Sequence, residues 1–205
     1  MEEVLDVYAR PYDPLYPVVC LDESPRQLIG EKRKAFADSH GCVCEDYEYV
    51  RNGTADIFMV TEPLGGGREV FVRDRHSRLD YAEITAYIAE SMFPDAKKIT
   101  LIQDNLAAHK KSALYELFPP ERARSILSRL EFVFTPKHGS WLNIAEIELS
   151  VLSRQGLKGR IPTKEELIRQ CDEWCAMRNE KGAPTDWQFT AKDARIKLKH
   201  LYPSI

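Results

Sequence analysis

Two short apolar segments that each run into a carboxylate constrain the fold of this chain most strongly. Residues 18–21 (Val-Val-Cys-Leu) are followed by Asp22, and residues 99–102 (Ile-Thr-Leu-Ile) are followed shortly by Asp104. Apolar, β-branched runs of this length that end in polar residues are typical of buried strands. If the two strands lie side by side and parallel, both aspartates lie at the same edge of the sheet.

The rest of the sequence predicts strands and helices in a mixed order. Segments 47–50 and 55–60, on either side of an Asn52-Gly53 turn signal, and 69–72 are typical of an antiparallel meander. A further strand is predicted at 131–135, and helices are predicted at 78–92, 110–118, 121–130, from 141 or 143 to about 156, 165–177 and 191–200. We therefore predict an α/β, ribonuclease-H-like fold. Its mixed five-stranded sheet has three antiparallel strands, then two parallel strands, and is flanked by helices.

This arrangement brings three carboxylates together. The helix that starts near Asn143 carries Glu146, which joins Asp22 and Asp104 if the helix packs beside the two strands. Clustered carboxylates repel one another unless cations neutralise them, and hard oxygen ligands suit Mg²⁺ or Mn²⁺. Spacing alone leaves a simpler interpretation open, in which each aspartate only caps a loop, because the chain contains 32 acidic residues.

Four motifs give the sequence a resemblance to the catalytic domain of transposases of the Tc/mariner superfamily, in its bacterial insertion-sequence branch. The motifs are 19–23 (VCLDE), 49–55 (YVRNGTA), Asp104-Asn105 with His109, and 135–146 (TPKHGSWLNIAE). The similarity extends from about Pro17 to the end of the chain. Because the four motifs occur in the family's order over most of the chain, the resemblance is specific.

The resemblance implies a metal-dependent reaction on DNA. Asp22, Asp104 and Glu146 match the three catalytic acids of the family, which hold two Mg²⁺ ions, for which Mn²⁺ can substitute. Water cleaves the transposon ends, and the freed 3′-hydroxyl then attacks target DNA. The implied partners are double-stranded DNA, as transposon ends and as target, and a second copy of the chain in a homodimer on DNA.

The chain departs from the family pattern at two points. Asp104 and Glu146 are separated by 41 residues, somewhat more than is usual, and only about 17 residues precede the first strand, where the family carries a helix-turn-helix region. We therefore expect the DNA-reading region to be missing or to lie in a separate subunit. Two alternatives remain open: a non-catalytic transposase remnant that binds DNA or a partner subunit, and a ribonuclease-H-like nuclease without strand transfer.

Glu148 competes with Glu146 for the role of third acid. At helical spacing Glu148 lies within the apolar face of its helix, whereas Glu146 lies on the opposite face with Ser150 and Ser153. Amphipathicity favours Glu148 and the family's N-x-x-E motif favours Glu146. We give the motif more weight because helix starts inferred from sequence shift easily by a turn.

Basic and imidazole side chains near these acids are candidate DNA contacts. They are Arg51, His109, Lys137, His138 and Arg154. Lys137 and His138 precede the helix of Glu146, where a cation can meet the scissile phosphate. For each of the five, a plainer interpretation as a surface, loop or turn residue stays open.

Charge and hydropathy set further limits. The net charge of −3 counts against nucleic-acid binding, but residues 151–205 carry 11 basic and only 7 acidic side chains. We predict a catalytic domain over 1–160 and a C-terminal helical extension over 161–205 packed on it. No apolar run approaches the roughly 18 residues of a membrane span, and the acidic start is unlike a signal peptide. We therefore expect a cytoplasmic protein at the bacterial nucleoid.

Overall fold

A mixed sheet of five strands forms the centre of the structure, a computed structural model that describes residues 1–33, 36–37, 40, 42–44, 47–137, 139–182 and 184–202. The strands are β1 (Val18–Glu31), β2 (Phe36–Ala37), β3 (Val43–Cys44), β4 (Tyr49–Glu62), β5 (Gly67–Arg73), β6 (Ile99–Gln103) and β7 (Leu130–Phe134). The sheet order is β5-β4-β1-β6-β7, with antiparallel pairing from β5 to β1 and parallel pairing from β1 to β7. The predicted mixed sheet is confirmed. Strands β2 and β3 form a separate short pair.

Seven α-helices lie in the described part of the chain. They are α1 (Glu2–Tyr8), α2 (Arg78–Tyr87), α3 (Ser112–Leu117), α4 (Pro120–Ser128), α5 (Ile144–Gln155), α6 (Lys164–Glu180) and α7 (Ala191–Lys197). Helix α2 begins with a capping box between Ser77 and Asp80, and a π-helical turn, Ile88–Met92, continues it. None of the described helices has the length and apolar character needed to cross a membrane.

Helices cover both faces of the sheet. Alternation along β1 sends Val18 and Cys20 into one core and Val19 and Leu21 into the other. The first core is completed by residues of α1, α5, α6 and α7, and the second by residues of α2, α3 and α4. Burial on both faces explains why the central strands are continuously apolar.

Two sequence-based predictions about strand ends were wrong. Strand β1 does not stop at Asp22: its parallel pairing with β6 ends at Cys20, but pairing with β4 continues to Glu31. The Asn52-Gly53 pair does not make a hairpin turn either, because it lies inside β4, where Gly53 has a φ of 103° beside a register shift. Glycine at positive φ serves β-bulges as well as turns, so the same signal fits both.

Candidate active site

The three predicted acids line one cleft at the edge of the sheet. Asp22 lies on β1 two residues beyond the last parallel pair, Asp104 directly follows β6, and Glu146 is in the first turn of α5. The cleft measures about 440 Å³. Its other lining residues are Glu23, Ser24, Ser140, Leu149, Ser150, Ser153 and Arg154. Parallel strands and one helix start therefore converge as the sequence indicated.

The start of α5 determines which of its glutamates faces the cleft. Asn143 has extended backbone angles, and its side-chain oxygen accepts a hydrogen bond from the amide of Ala145 at 3.2 Å. This cap ends a 3₁₀ turn, Ser140–Leu142, and fixes the register of the helix. Glu146 is consequently an exposed first-turn residue, where a negative charge is also favoured by the helix dipole.

Glu148 is buried elsewhere. Its Oε2 lies 3.2 Å from Nε of Arg68, and its Oε1 accepts a hydrogen bond of 2.8 Å from Arg178. The side chains of Glu148 and Arg68 are only 6% and 1% exposed. The positive charge that a buried carboxylate needs is thus supplied by Arg68 on β5 and Arg178 on α6. Glu148 is not among the residues that line the cleft.

The carboxyl group of Asp22 is held by two hydrogen bonds and has a raised pKa. Its Oδ1 accepts a hydrogen bond from the amide of Glu23 at 2.9 Å, and its Oδ2 accepts one from Nδ2 of Asn143 at 3.1 Å. Burial, followed by the charges of Glu23, Asp104 and Glu146, raises the pKa of Asp22 to about 7. A positive charge in the cleft would favour the ionised carboxylate.

His109 has a different position from the DNA-facing one that we expected. It is buried, with Nδ1 at 2.7 Å from Oδ1 of Asp104 and Nε2 at 3.1 Å from Oε2 of Glu23. Its ring packs on Tyr81 at 4.8 Å between centroids. Burial acts to lower the pKa of His109, but the two carboxylates outweigh it and raise this pKa to about 9. The imidazolium in turn lowers the pKa of Asp104.

The other predicted DNA contacts differ in their distance from the acids. Arg154 is exposed on the wall of the cleft, with its Nε donating to the carbonyl of Ser150. Lys137 is exposed and lines an adjoining hollow that Asp104 also borders. Arg51 is exposed on the outer half of β4, opposite Ile29, and does not line the cleft. His138 lies outside the described residues.

Two residues of the site received no role from the sequence. Glu23 pairs with His109, and Asn143 contacts Asp22. Both lie inside the motifs on which the resemblance depends: Glu23 directly follows Asp22, and Asn143 lies three residues before Glu146. Their closeness to predicted acids was the signal that could have identified them. Their partners, however, are far away in the chain.

The donor set of the cleft fits a hard divalent cation. Three carboxylates offer oxygen ligands, the type that Mg²⁺ and Mn²⁺ prefer. Among the described residues, no three acidic, histidine or cysteine side chains already form a closed metal cluster.

The chain resembles solved transposase complexes in fold. It matches the Mos1 strand transfer complex with a TM-score of 0.58 at 14% identity, covering 88% of this chain and 53% of that one. It also matches Mos1 mariner paired-end complexes with Mn (TM-score 0.55, 18% identity, 86% and 52% covered) and with Mg (0.57, 15%, 88% and 54%). The chain thus spans about half the length of these structures. At this level of identity the similarity establishes the ribonuclease-H-like fold.

Sequence comparison establishes the family. No curated protein was found with significant similarity to the whole chain or part of it. Residues 17–168, which are most of the chain and include Asp22, Asp104 and Glu146, match the family described as DDE superfamily endonuclease. The chain therefore belongs to the DDE superfamily endonuclease family.

Proposed function

We propose that this chain is the catalytic part of a DDE-type transposase, which cleaves DNA at transposon ends and joins the freed 3′-hydroxyl to target DNA. The observation that carries the proposal is the convergence of Asp22, Asp104 and Glu146 on one cleft in a member of this family. The similar folds include a strand transfer complex and paired-end complexes, which supports joining as well as cutting.

Asp22, Asp104 and Glu146 are the residues that would hold divalent cations, Mg²⁺ or Mn²⁺, with two per site. Similar folds were solved with each metal. When bound, such ions activate the attacking oxygen and stabilise the leaving oxygen of an in-line displacement at phosphorus. No side chain of the chain needs to form a covalent bond with DNA in such a displacement.

The protein's own groups orient the carboxylates for this task. Asn143 and the amide of Glu23 hold both oxygens of Asp22, while His109 contacts one oxygen of Asp104. The second oxygen of Asp104 has no protein hydrogen bond among those found in the described residues. Arg154 and Lys137 stand at the edges of this region, where they can contact phosphates of bound DNA.

The wider assembly is part of the same proposal. We propose double-stranded DNA as substrate and a homodimer on that DNA. Residues 1–160 would be the catalytic domain, and the extension 161–205 would support α5 through the contact of Arg178 with Glu148. The site of action would be the DNA of the bacterial cytoplasm.

An assay that separates nicked from joined DNA tests the proposal. The chain is incubated with duplexes that carry the ends of its own element, with pre-nicked ends, and with target DNA, in Mg²⁺ or Mn²⁺. We expect metal-dependent joined products, and their loss in the variants Asp22→Asn, Asp104→Asn and Glu146→Gln. Glu121→Gln, on the exposed start of α4, is the matched control and should stay active.

The assay also separates the alternatives. Metal-dependent nicking without joined products, even when pre-nicked ends are supplied, would support a nuclease instead. DNA binding without either product would support a non-catalytic remnant. Activity that survives the three cleft substitutions would refute the assignment of the site.

A further inference from the structure

We infer that Asn143 is a positioning residue that sets the first acid of the cleft against the helix that carries the third. The inference rests on the proposed metal-dependent function and adds a residue to it. Asn143 is fully buried at the junction of β1 and α5. Its amide contacts both elements through hydrogen bonds.

The three side-chain hydrogen bonds of Asn143 run to two different elements. Its Nδ2 donates to the carbonyl of Leu21 at 3.0 Å and to Oδ2 of Asp22 at 3.1 Å. Its Oδ1 accepts from the amide of Ala145 at 3.2 Å. The orientation of the amide follows from these neighbours, because both groups at Nδ2 are acceptors and the group at Oδ1 is a donor.

No other residue type supplies this combination at the same size. Aspartate keeps the cap but turns a carboxylate toward the carbonyl of Leu21 and toward Asp22. Serine and threonine also keep a capping oxygen, but their side chains are too short to reach β1 with a second donor. Only asparagine caps α5 and donates twice to β1, so one side chain both caps the helix and orients Asp22.

Tyr8 makes it possible to separate these two roles. Its hydroxyl donates to the carbonyl of Leu142 at 2.7 Å and accepts from the amide of Ile144 at 3.4 Å, so it also anchors the start of α5. The hydroxyl also lies 3.2 Å from Sγ of Cys20 on β1, but the hydrogen bonds found for Tyr8 do not include Asp22. The variant Tyr8→Phe therefore loosens the same helix start while leaving the hydrogen bond between Asn143 and Asp22 in place.

Groups that hydrogen-bond to metal ligands control the affinity of a site for its metal. Removing such a group typically costs about 10- to 100-fold in metal affinity or activity. Loss of the Nδ2 hydrogen bond leaves the Asp22 carboxylate held by the amide of Glu23 at Oδ1 alone, so its orientation must be restored when a cation binds. We therefore expect Asn143→Ser to weaken Mn²⁺ binding by about 10- to 100-fold.

The experiment measures Mn²⁺ binding to the full chain without DNA, from the free-ion signal in electron paramagnetic resonance. It compares wild type, Asn143→Ser, Tyr8→Phe, Asp22→Asn and Thr163→Ala. The last variant removes the N-cap hydrogen bond of α6, at Glu166, far from the acids in sequence. Asn143→Thr, which keeps a capping hydroxyl and more volume, replaces Asn143→Ser if a thermal melt shows that the serine variant is unfolded.

The positioning role requires weakened Mn²⁺ binding in Asn143→Ser, with Tyr8→Phe and Thr163→Ala binding like wild type. Wild-type binding that Asp22→Asn weakens but Asn143→Ser does not would overturn the positioning role and leave the proposed function standing. Equal loss in Tyr8→Phe would also overturn it, since helix placement alone would then explain the effect. A wild type whose Mn²⁺ binding does not depend on Asp22 would overturn the proposed function and this inference together.

Discussion

Replacing Glu148 with glutamine tests how α5 is held in its register. The substitution keeps the size and one hydrogen-bond acceptor of the side chain but removes the negative charge. In the structure that charge lies between Arg68, whose side chain is 1% exposed, and Arg178, which is 22% exposed. The buried charge of Arg68 therefore loses the carboxylate that lies 3.2 Å from its Nε.

The expected cost is large because the pair is buried. Removing one partner of a buried ion pair destabilises a protein by about 3–5 kcal/mol. For a chain of this size, each kcal/mol lowers the melting temperature by roughly 2–4 °C, so Glu148→Gln should melt roughly 6–20 °C below wild type. Glu146→Gln, at an exposed position of the same helix, should change the unfolding free energy by about 0.5 kcal/mol or less.

Urea unfolding at pH 7, followed by circular dichroism and tryptophan fluorescence, measures both free energies. Metal-dependent cleavage is then compared at a temperature where both variants are folded. We expect Glu148→Gln to be unstable but active and Glu146→Gln to be stable but inactive. A Glu148→Gln variant as stable as wild type, or a folded one without activity, would refute the register of α5.

Three further predictions concern charge. Without divalent cations, the unfolding free energy should fall as pH rises from about 4 to 7. The pKa of Asp22 is raised from 3.8 to about 7, so in this range the folded state binds a proton that the unfolded state has lost. Asp22→Asn should flatten this slope in a calorimetric pH series. His109→Gln should raise the pKa of Asp104 in a carboxyl NMR titration, since contact with His109 is the main cause of its depression. The chain should bind duplex DNA weakly, with little sequence preference, and Arg154→Ala should reduce the salt slope by about 1 in fluorescence anisotropy.

Each of these predictions has a contradicting result. Parallel stability curves for wild type and Asp22→Asn would show that Asp22 does not titrate as described. An unchanged pKa of Asp104 in His109→Gln would show that His109 is not the cause of its depression. Strong preference for one DNA sequence at physiological salt would place the DNA-reading function in this chain.

The sequence predicted the sheet well because its central strands carry strong local signals. The apolar runs before Asp22 and Asp104 mark the two strands that are buried on both faces. The continuation of β1 beyond Asp22 has no such signal, since it depends on pairing with β4. Helix α1 was missed because it has only seven residues and no side-chain cap.

The site was predictable only where its residues carry local sequence signals. Amphipathicity indicated correctly that Glu148 is buried, but its partners Arg68 and Arg178 are 80 and 30 residues away in the chain. His109 looked like a polar residue near a loop, and only the approach of β1 to the loop after β6 shows that Glu23 faces it. Contacts of this kind are set by tertiary structure, and local patterns carry no record of them.

Anomalous diffraction from crystals of the chain soaked in Mn²⁺ tests the central claim most directly. We expect an anomalous peak between the carboxylates of Asp22 and Asp104, near Glu146, and loss of this peak in Asp104→Asn crystals. Peaks confined to acidic residues outside the cleft, with Asp22 and Asp104 ordered and without metal at the same Mn²⁺ concentration, would contradict it.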